Sequence, residues 1–218
     1  MAHSLSEENY LKEIYHLSQD GARKISLTVL AGRLGIKAAS AVDMIRKLSG
    51  NRFITYDKSK GVKLTPAGAK VALSIVRNHR LWEVFLLEKL RYSWDAVHGI
   101  AEQLEHIKDP ELTDRLDEFL GRPDYDPHGD PIPKSDGRMP RIPKTTLSDA
   151  AVGSSCIVVG IKDTSPAYLQ YLKKLGVSIG TRISVVERIE YDGSMVIGIG
   201  KGRRPSVSKR FAESVLVD

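Results

Sequence analysis

The residues best equipped for chemistry in this chain lie between His79 and His128. On a helix turning about 100° per residue, His79 and Glu83 fall about 40° apart, inside a stripe shared with Ala72, Val76, Leu86, Leu87 and Leu90. A carboxylate in an apolar stripe costs roughly several kcal/mol unless its charge is compensated. A bound cation compensates it, and the imidazole beside it suits a neutral ligand. A His–Glu hydrogen bond, or a pair reaching solvent, is the alternative that these two residues alone leave open. The next helical segment places His98, Glu102, Glu105 and His106 on one side, with Val97, Ile100, Leu104 and Ile107 opposite. Two helices, each carrying His and Glu one turn apart, can converge on a cation. An acidic face opposite an apolar one is also what an ordinary surface helix shows. Asp126 and His128 flank Pro127 in Asp124-Tyr125-Asp126-Pro127-His128-Gly129-Asp130, where they could close a site from an irregular segment.

The elements that must hold these residues follow from periodicity and punctuation. Helical spacing runs from Ser6, a candidate N-cap, to about Ser18. Shorter helices fit Ser26–Leu34, ending at Gly35, and Ala38–Leu48, stopping at Gly50. Phe53–Tyr56 and Val62–Thr65 alternate around the polar turn Asp57–Gly61 and predict a β-hairpin. Pro66 suits the start of a long helix to about Leu90, followed by helices over about Trp94–Ile107 and Pro110–Leu120. Six prolines between residues 121 and 146 predict an irregular linker. Beyond it, β-branched stretches at Ile157–Ile161, Arg182–Glu187, Met195–Ile199 and Ser214–Val217, with one helix over Pro166–Leu175, predict a small β-barrel.

Composition narrows the class. With 41% hydrophobic and 28% charged residues over 218 positions, the chain can bury real cores and is neither disordered nor collagen-like. No apolar run is long enough to span a bilayer, and the N-terminal MAHSLSEENY lacks the apolar core of a secretory signal, so a cytoplasmic protein with no membrane partner is expected. The single cysteine, Cys156, excludes a disulfide framework and a multi-cysteine zinc site, and its apolar neighbours predict an inert buried thiol. The net charge of +6 is unevenly spread: residues 1–80 carry 14 Lys/Arg against 6 Asp/Glu, and residues 81–140 carry 7 against 14. That contrast suggests polyanion contact in the first segment and cation capture in the second.

Helix, turn, helix and basic hairpin over residues 26–65 make a winged helix-turn-helix. The second helix of such a pair lies in the major groove while phosphate contacts fix its register. Lys37, Ala39 and Ser40 begin that helix, and Arg46 and Lys47 follow. Lys58, Lys60 and Lys63 lie on the wing, where each supplies mainly salt-dependent affinity. A winged helix serving protein contacts with merely solvated lysines is the alternative.

These motifs together resemble the DtxR/MntR family of metal-dependent transcriptional repressors that carry a C-terminal SH3-like (FeoA-like) domain. The resemblance covers essentially the whole chain. It rests on Glu8-Asn9-Tyr10-Leu11-Lys12-Glu13-Ile14-Tyr15, Lys63-Leu64-Thr65-Pro66-Ala67-Gly68, His79-Arg80-Leu81-Trp82-Glu83, and Trp94-Asp95-Ala96-Val97-His98 followed by Glu102, Glu105 and His106. It implies an α+β multidomain chain: a winged-helix DNA-binding domain over 1–72, a helical dimerisation and metal-binding domain with the Pro-rich linker over 73–146, and the SH3-like domain over 147–218.

The resemblance also implies two neighbouring metal sites per subunit. His79, Glu83 and His98 look like an ancillary site, with Asp163 as its oxygen ligand from the SH3-like domain. Glu102 and Glu105 look like a regulatory site. It is completed by Asp126 and His128, whose segment is similar to a Cys-Pro-His ligand segment of a streptococcal-like subgroup, or by His106 as in other members. The first helix departs from the family pattern, with Asn9 and Lys12 where relatives carry ligands. An oxygen and imidazole shell suits Mn²⁺, with Fe²⁺ as the alternative. The resulting expectation is a homodimeric, manganese-responsive repressor of metal-uptake genes that binds a palindromic operator and is not an enzyme. A metal-dependent hydrolase and a winged-helix sensor of a small organic ligand are the rival readings.

Overall fold

A computed structural model describes residues 3–19, 21, 24–141, 145–200 and 202–218; residues 142–144 of the linker, Pro143 among them, lie outside the described residues. The fold is α+β, with helices α1 (Leu5–Gln19), α2 (Leu27–Arg33), α3 (Ala38–Gly50), α4 (Pro66–Glu88), α5 (Val97–Leu104), α6 (Pro110–Phe119), α7 (Pro166–Leu175) and α8 (Lys209–Ser214). Strands β1 (Ile54–Asp57) and β2 (Gly61–Leu64) form a hairpin, and β3 (Ser155–Ile161), β4 (Arg182–Arg188), β5 (Met195–Ile199), β6 (Ser206–Val207) and β7 (Val215–Val217) a separate sheet. Compactness divides the chain into two units. One holds residues up to His79 with Glu102–Leu116 and Pro133–Arg138; the other holds Arg80–Ala101, Asp117–Ile132 and Met139–Asp218. The stretch 73–146, expected as one segment, thus contributes to both.

In the first unit, α1 starts two residues earlier than its pattern suggested. Ser4, not Ser6, caps it: Glu7 N–H donates to Ser4 Oγ (3.3 Å) and Ser4 N–H to Glu7 Oε2 (2.8 Å), the reciprocal pattern of a capping box. Ser26 caps α2 by accepting from Val29 N–H at 3.2 Å. The core packs Leu11 and Ile14 of α1 against Leu30, Ile45, Leu48, Ile54 and Val62, with Ala72 and Val76 of α4. β1 and β2 pair antiparallel with Asp57 opposite Gly61, and Asp57 Oδ1 accepts from the backbone N–H groups of Ser59 and Lys60 at 2.7 and 2.9 Å. This is the wing.

The second unit contains an antiparallel sheet in the order β6-β5-β4-β3-β7, with register shifts between Val158 and Gly160 and between Val185 and Glu187. Such bulges bend the sheet and let it wrap its own core in the SH3-like manner. That core gathers Val158, Ile183, Ile197, Leu172 of α7, Phe211 of α8 and Val215. Cys156 is buried there, its Sγ 3.6 Å from Ile183 O, and burial pushes the thiol up.

The segment read as an irregular linker is ordered between Asp124 and Ile132. Tyr125 bridges Pro131, Asp126 N–H donates to Asp130 O (2.9 Å), and Ile132 N–H to Asp124 O (2.8 Å), so the chain doubles back as a tight hairpin.

Candidate metal centre

Two groups of ligand-type side chains each lie within a single unit. The first, in the second unit, joins Glu83 of α4 to Asp126 and His128 of the linker hairpin; each offers one ligand atom, and these lie within 4.8 Å of one another. All three residues are buried, Glu83 and His128 at 2% exposure and Asp126 at 6%. Local chemistry sets the hairpin. Asp126 Oδ1 accepts from the N–H groups of His128 (2.7 Å) and Asp130 (2.9 Å), a turn in which a carboxylate stands in for a backbone carbonyl. Gly129 has φ +85° and runs so close to β3 that a Cβ there would lie 2.2 Å from Val159 O. His128 O accepts from Ile161 N–H at 2.9 Å. The Trp94 ring stacks on the His128 ring (centroids 5.8 Å, 14° between planes), and its Nε1–H donates to Pro127 O at 3.1 Å.

His128 Nδ1 lies 3.4 Å from Glu83 Oε2 and 3.9 Å from Asp126 Oδ1, while its Nε2 is buried with no hydrogen-bond partner among the described residues. Burial, Asp130 and Glu83 push the Asp126 carboxyl up to about 8, against the opposing pull of His128 and Arg80. Burial alone would lower His128, but the Glu83 hydrogen bond and the nearby carboxylates outweigh it and hold the imidazole above its ordinary value. Arg80 brings a guanidinium within reach: Nε stands 3.7 Å from Asp126 Oδ2, and NH1 donates to Pro131 O at 2.5 Å. Two buried carboxylates and an imidazole with an unsatisfied nitrogen fit a divalent ion of hard or borderline character.

The second group, in the first unit, joins His79 of α4 to Glu102 and Glu105. Glu105 is 1% exposed and lies just beyond the end of α5. Its Oε2 is 2.6 Å from His79 Nδ1, and its Oε1 accepts from Lys12 Nζ at 2.6 Å. The same ammonium donates to Glu102 Oε1 at 2.7 Å. Burial would lower the Lys12 pKa, but Glu105 and Glu102 outweigh it and hold the ammonium above the usual lysine value. Beside them His106 Nδ1 is 2.7 Å from Glu8 Oε2, and Lys108 Nζ is 2.9 Å from Glu8 Oε1.

Comparison with known proteins gives this arrangement a context. Residues 4–62 match the family model "Iron dependent repressor, N-terminal DNA binding domain", residues 65–134 "Iron dependent repressor, metal binding and dimerisation domain", and residues 145–218 "FeoA domain". A solved structure described as a manganese-dependent transcriptional repressor in complex with manganese is 37% identical, with a TM-score of 0.85 over 97% of this chain and 98% of that one. The chain belongs to the DtxR/MntR family of metal-dependent transcriptional repressors. The structure of the manganese regulator SloR is 31% identical, with a TM-score of 0.76 over 97% of each chain. The diphtheria toxin repressor of Corynebacterium jeikeium is 29% identical over 142 residues, which are 65% of this chain and 59% of that relative's length. This is a family of regulators, not of enzymes.

Within that family frame Glu102 and Glu105 group together as expected, and one grouping differs. Asp126 and His128 group with Glu83, where the expectation joined them to Glu102 and Glu105; the close approach of Gly129 to β3 sets where the linker hairpin sits. His98 Nδ1 is 3.2 Å from Glu83 Oε1, and its side chain is 55% exposed. Asp163 joins no ligand group among the described residues. Its carboxylate is turned to local work, accepting from Ser165 N–H (3.0 Å) just before α7 and lying 3.4 Å from Arg210 NH2.

The DNA-facing candidates divide similarly. Lys37, Ala39, Ser40 and Arg46 are exposed on or beside α3, and Lys58, Lys60 and Lys63 on the wing. Arg46 NH1 lies 3.7 Å from Asp43 Oδ1, so this cation has a carboxylate partner on the same helix. Lys47 is exposed but its Nζ is 3.4 Å from Glu7 Oε1, so it has a partner within the protein. Lys24, exposed and donating to Lys58 O at 2.8 Å, joins the wing cations and was missed because it precedes the helix-turn-helix pattern. Arg80 was missed, because a cation is not a ligand type, and Lys12 was visible only as a departure from the family's ligand pattern.

Proposed function

We propose that this protein is a homodimeric, manganese-responsive repressor of metal-uptake genes, with Fe²⁺ as the alternative effector. Glu83, Asp126 and His128 hold the ion, and His98 adds a nitrogen at the exposed edge. The observation that carries the reading is the buried Glu83–Asp126–His128 group, whose His128 Nε2 has no hydrogen-bond partner among the described residues, in a chain that also presents a basic winged helix. Two similar solved proteins are described as manganese regulators, which favours Mn²⁺, as does a shell without sulfur. A bound divalent ion adds positive charge between two buried carboxylates. With that charge in place, Asp126 and His128 stay seated against Glu83, and α4 is tied to the linker hairpin.

The exposed face of α3 then reads a palindromic operator in the major groove while Lys24, Lys58, Lys60 and Lys63 hold phosphates. A tenfold gain in operator affinity needs the metal to favour the binding-competent state by only about 1.4 kcal/mol. The test is binding to duplexes selected from a random pool with Mn²⁺ present, repeated with EDTA, Mn²⁺, Fe²⁺ and Zn²⁺, for wild type and His128→Ala. Wild type is expected to bind at least tenfold more tightly with Mn²⁺ than with EDTA, and His128→Ala to lose that gain. Equal binding under all conditions sinks the reading.

A further inference from the structure

The His79–Glu102–Glu105 group has the ligand types of a second metal centre, but its charge is already answered. Lys12 Nζ bridges Glu102 Oε1 and Glu105 Oε1 at 2.7 and 2.6 Å, with its side chain 6% exposed and that of Glu105 fully buried. The other oxygen of Glu105 is held 2.6 Å from His79 Nδ1. His106, the remaining imidazole, is 2.7 Å from Glu8 Oε2, and its Nε2 is 3.5 Å from the Glu105 oxygen that Lys12 occupies. Each oxygen of the most buried carboxylate is therefore engaged by a donor from the chain. An ion entering here has to displace a buried ammonium from two carboxylates, leaving like charges in close contact. The residues as they stand do not fit a divalent cation.

We propose that Lys12 is a built-in cation that takes the place of a metal ion at this group, so that α1 is fastened to the 102–105 segment without metal and the response to metal is confined to the Glu83–Asp126–His128 group. This deepens the function proposed above and rests on it for the second half of the statement only. Lys12 lies on α1, whose Tyr10, Leu11 and Ile14 are part of the core that carries α3 and the wing. The ammonium thus ties the DNA-binding core to the carboxylates permanently, where an exchangeable ion would make the same link conditional.

The experiment counts bound Mn²⁺ per subunit by equilibrium dialysis and elemental analysis, with thermal melting alongside, for wild type, Glu102→Gln, Lys12→Glu, Lys12→Glu/Glu102→Gln and Lys12→Gln. Glu102→Gln is expected to leave the wild-type count unchanged. Lys12→Glu, which turns the tethered cation into another carboxylate, is expected to raise the count by one ion, and adding Glu102→Gln to remove that ion again. Lys12→Gln is expected to melt at a lower temperature in EDTA and to recover with Mn²⁺ by more than wild type does.

A Glu102→Gln variant that binds one ion fewer than wild type overturns the proposal, as does a folded Lys12→Glu variant that gains none. If Lys12→Glu fails to fold, the Glu102→Gln count and the Lys12→Gln melting recovery still decide. A wild type that binds no Mn²⁺ defeats the function proposed for the Glu83 group instead, and Lys12→Glu then decides for Lys12 by whether it acquires an ion.

Discussion

Arg80 separates the two ways in which the linker carboxylate can be made tolerable. Asp126 is pulled toward its neutral form by burial and by Glu83 and Asp130, and toward its charged form by Arg80 and His128. Arg80 also holds the hairpin itself, through Pro131 O and through Asp130 Oδ2 at 3.7 Å. Outer partners of metal ligands commonly account for about 10–100-fold in metal affinity. Arg80→Met keeps most of the aliphatic bulk and removes the guanidinium. It is expected to weaken Mn²⁺ binding by about tenfold or more in calorimetry, with the helical content of the far-ultraviolet spectrum retained. Unchanged affinity would reduce Arg80 to a support for Pro131 and leave the charge of Asp126 to the metal alone.

At the scale of elements, the linker hairpin is placed by a glycine rather than by its ligands. Gly129 at φ +85° occupies a conformation that L-residues rarely adopt, and a Cβ would meet Val159 O at 2.2 Å and Gly160 Cα at 2.4 Å, both backbone atoms that cannot swing aside. Gly129→Ala touches no ligand, yet it must push the hairpin off β3. We expect it to lose most Mn²⁺ affinity in the same calorimetric assay while the SH3-like core still melts cooperatively; wild-type affinity would show that the hairpin adapts. An approach of this kind, between backbones about 30 positions apart, leaves no local trace in the sequence. The helical stripes, the wing and the strands of the second unit were visible because period and turn chemistry are local. The end of α5 was not: the pattern ran to Ile107, but the helix closes at Leu104, and Asn78 Nδ2 donates to the carbonyls of Glu105 (3.0 Å) and Ile107 (3.4 Å) from α4. Helix α8, six residues capped by Ser208, was too short to show a period. Ligand types, and the pairing of Glu102 with Glu105, were legible along each helix face, whereas the seating of Asp126 and His128 beside Glu83 depended on Gly129, which meets residues far from it in the chain.

For the whole molecule, the uneven charge and the metal group predict two separable contributions to DNA binding. The first 80 residues carry eight more cations than anions, a count that includes Lys47, which is held by Glu7. Exposed wing cations release condensed counterions when they meet phosphate, so their share of affinity falls steeply with salt and is indifferent to metal. In the proposed switch the metal group acts on the population of the binding-competent state, so its share is expected to change with Mn²⁺ at any fixed salt. Replacing Lys58, Lys60 and Lys63 together by Ala is therefore expected to flatten the plot of log affinity against log salt by about one unit for each phosphate left without its lysine. The ratio of affinities with Mn²⁺ and with EDTA should be unchanged, and so should Mn²⁺ binding by the free protein. His128→Ala is expected to do the opposite, collapsing the ratio and leaving the salt slope of the residual binding near that of wild type. Fluorescence anisotropy over a salt series, with and without Mn²⁺, reads both quantities from one set of titrations. If the wing substitutions also abolished the metal ratio, the wing would be part of the switch rather than a passive anchor, and the division of labour inferred from charge would be wrong.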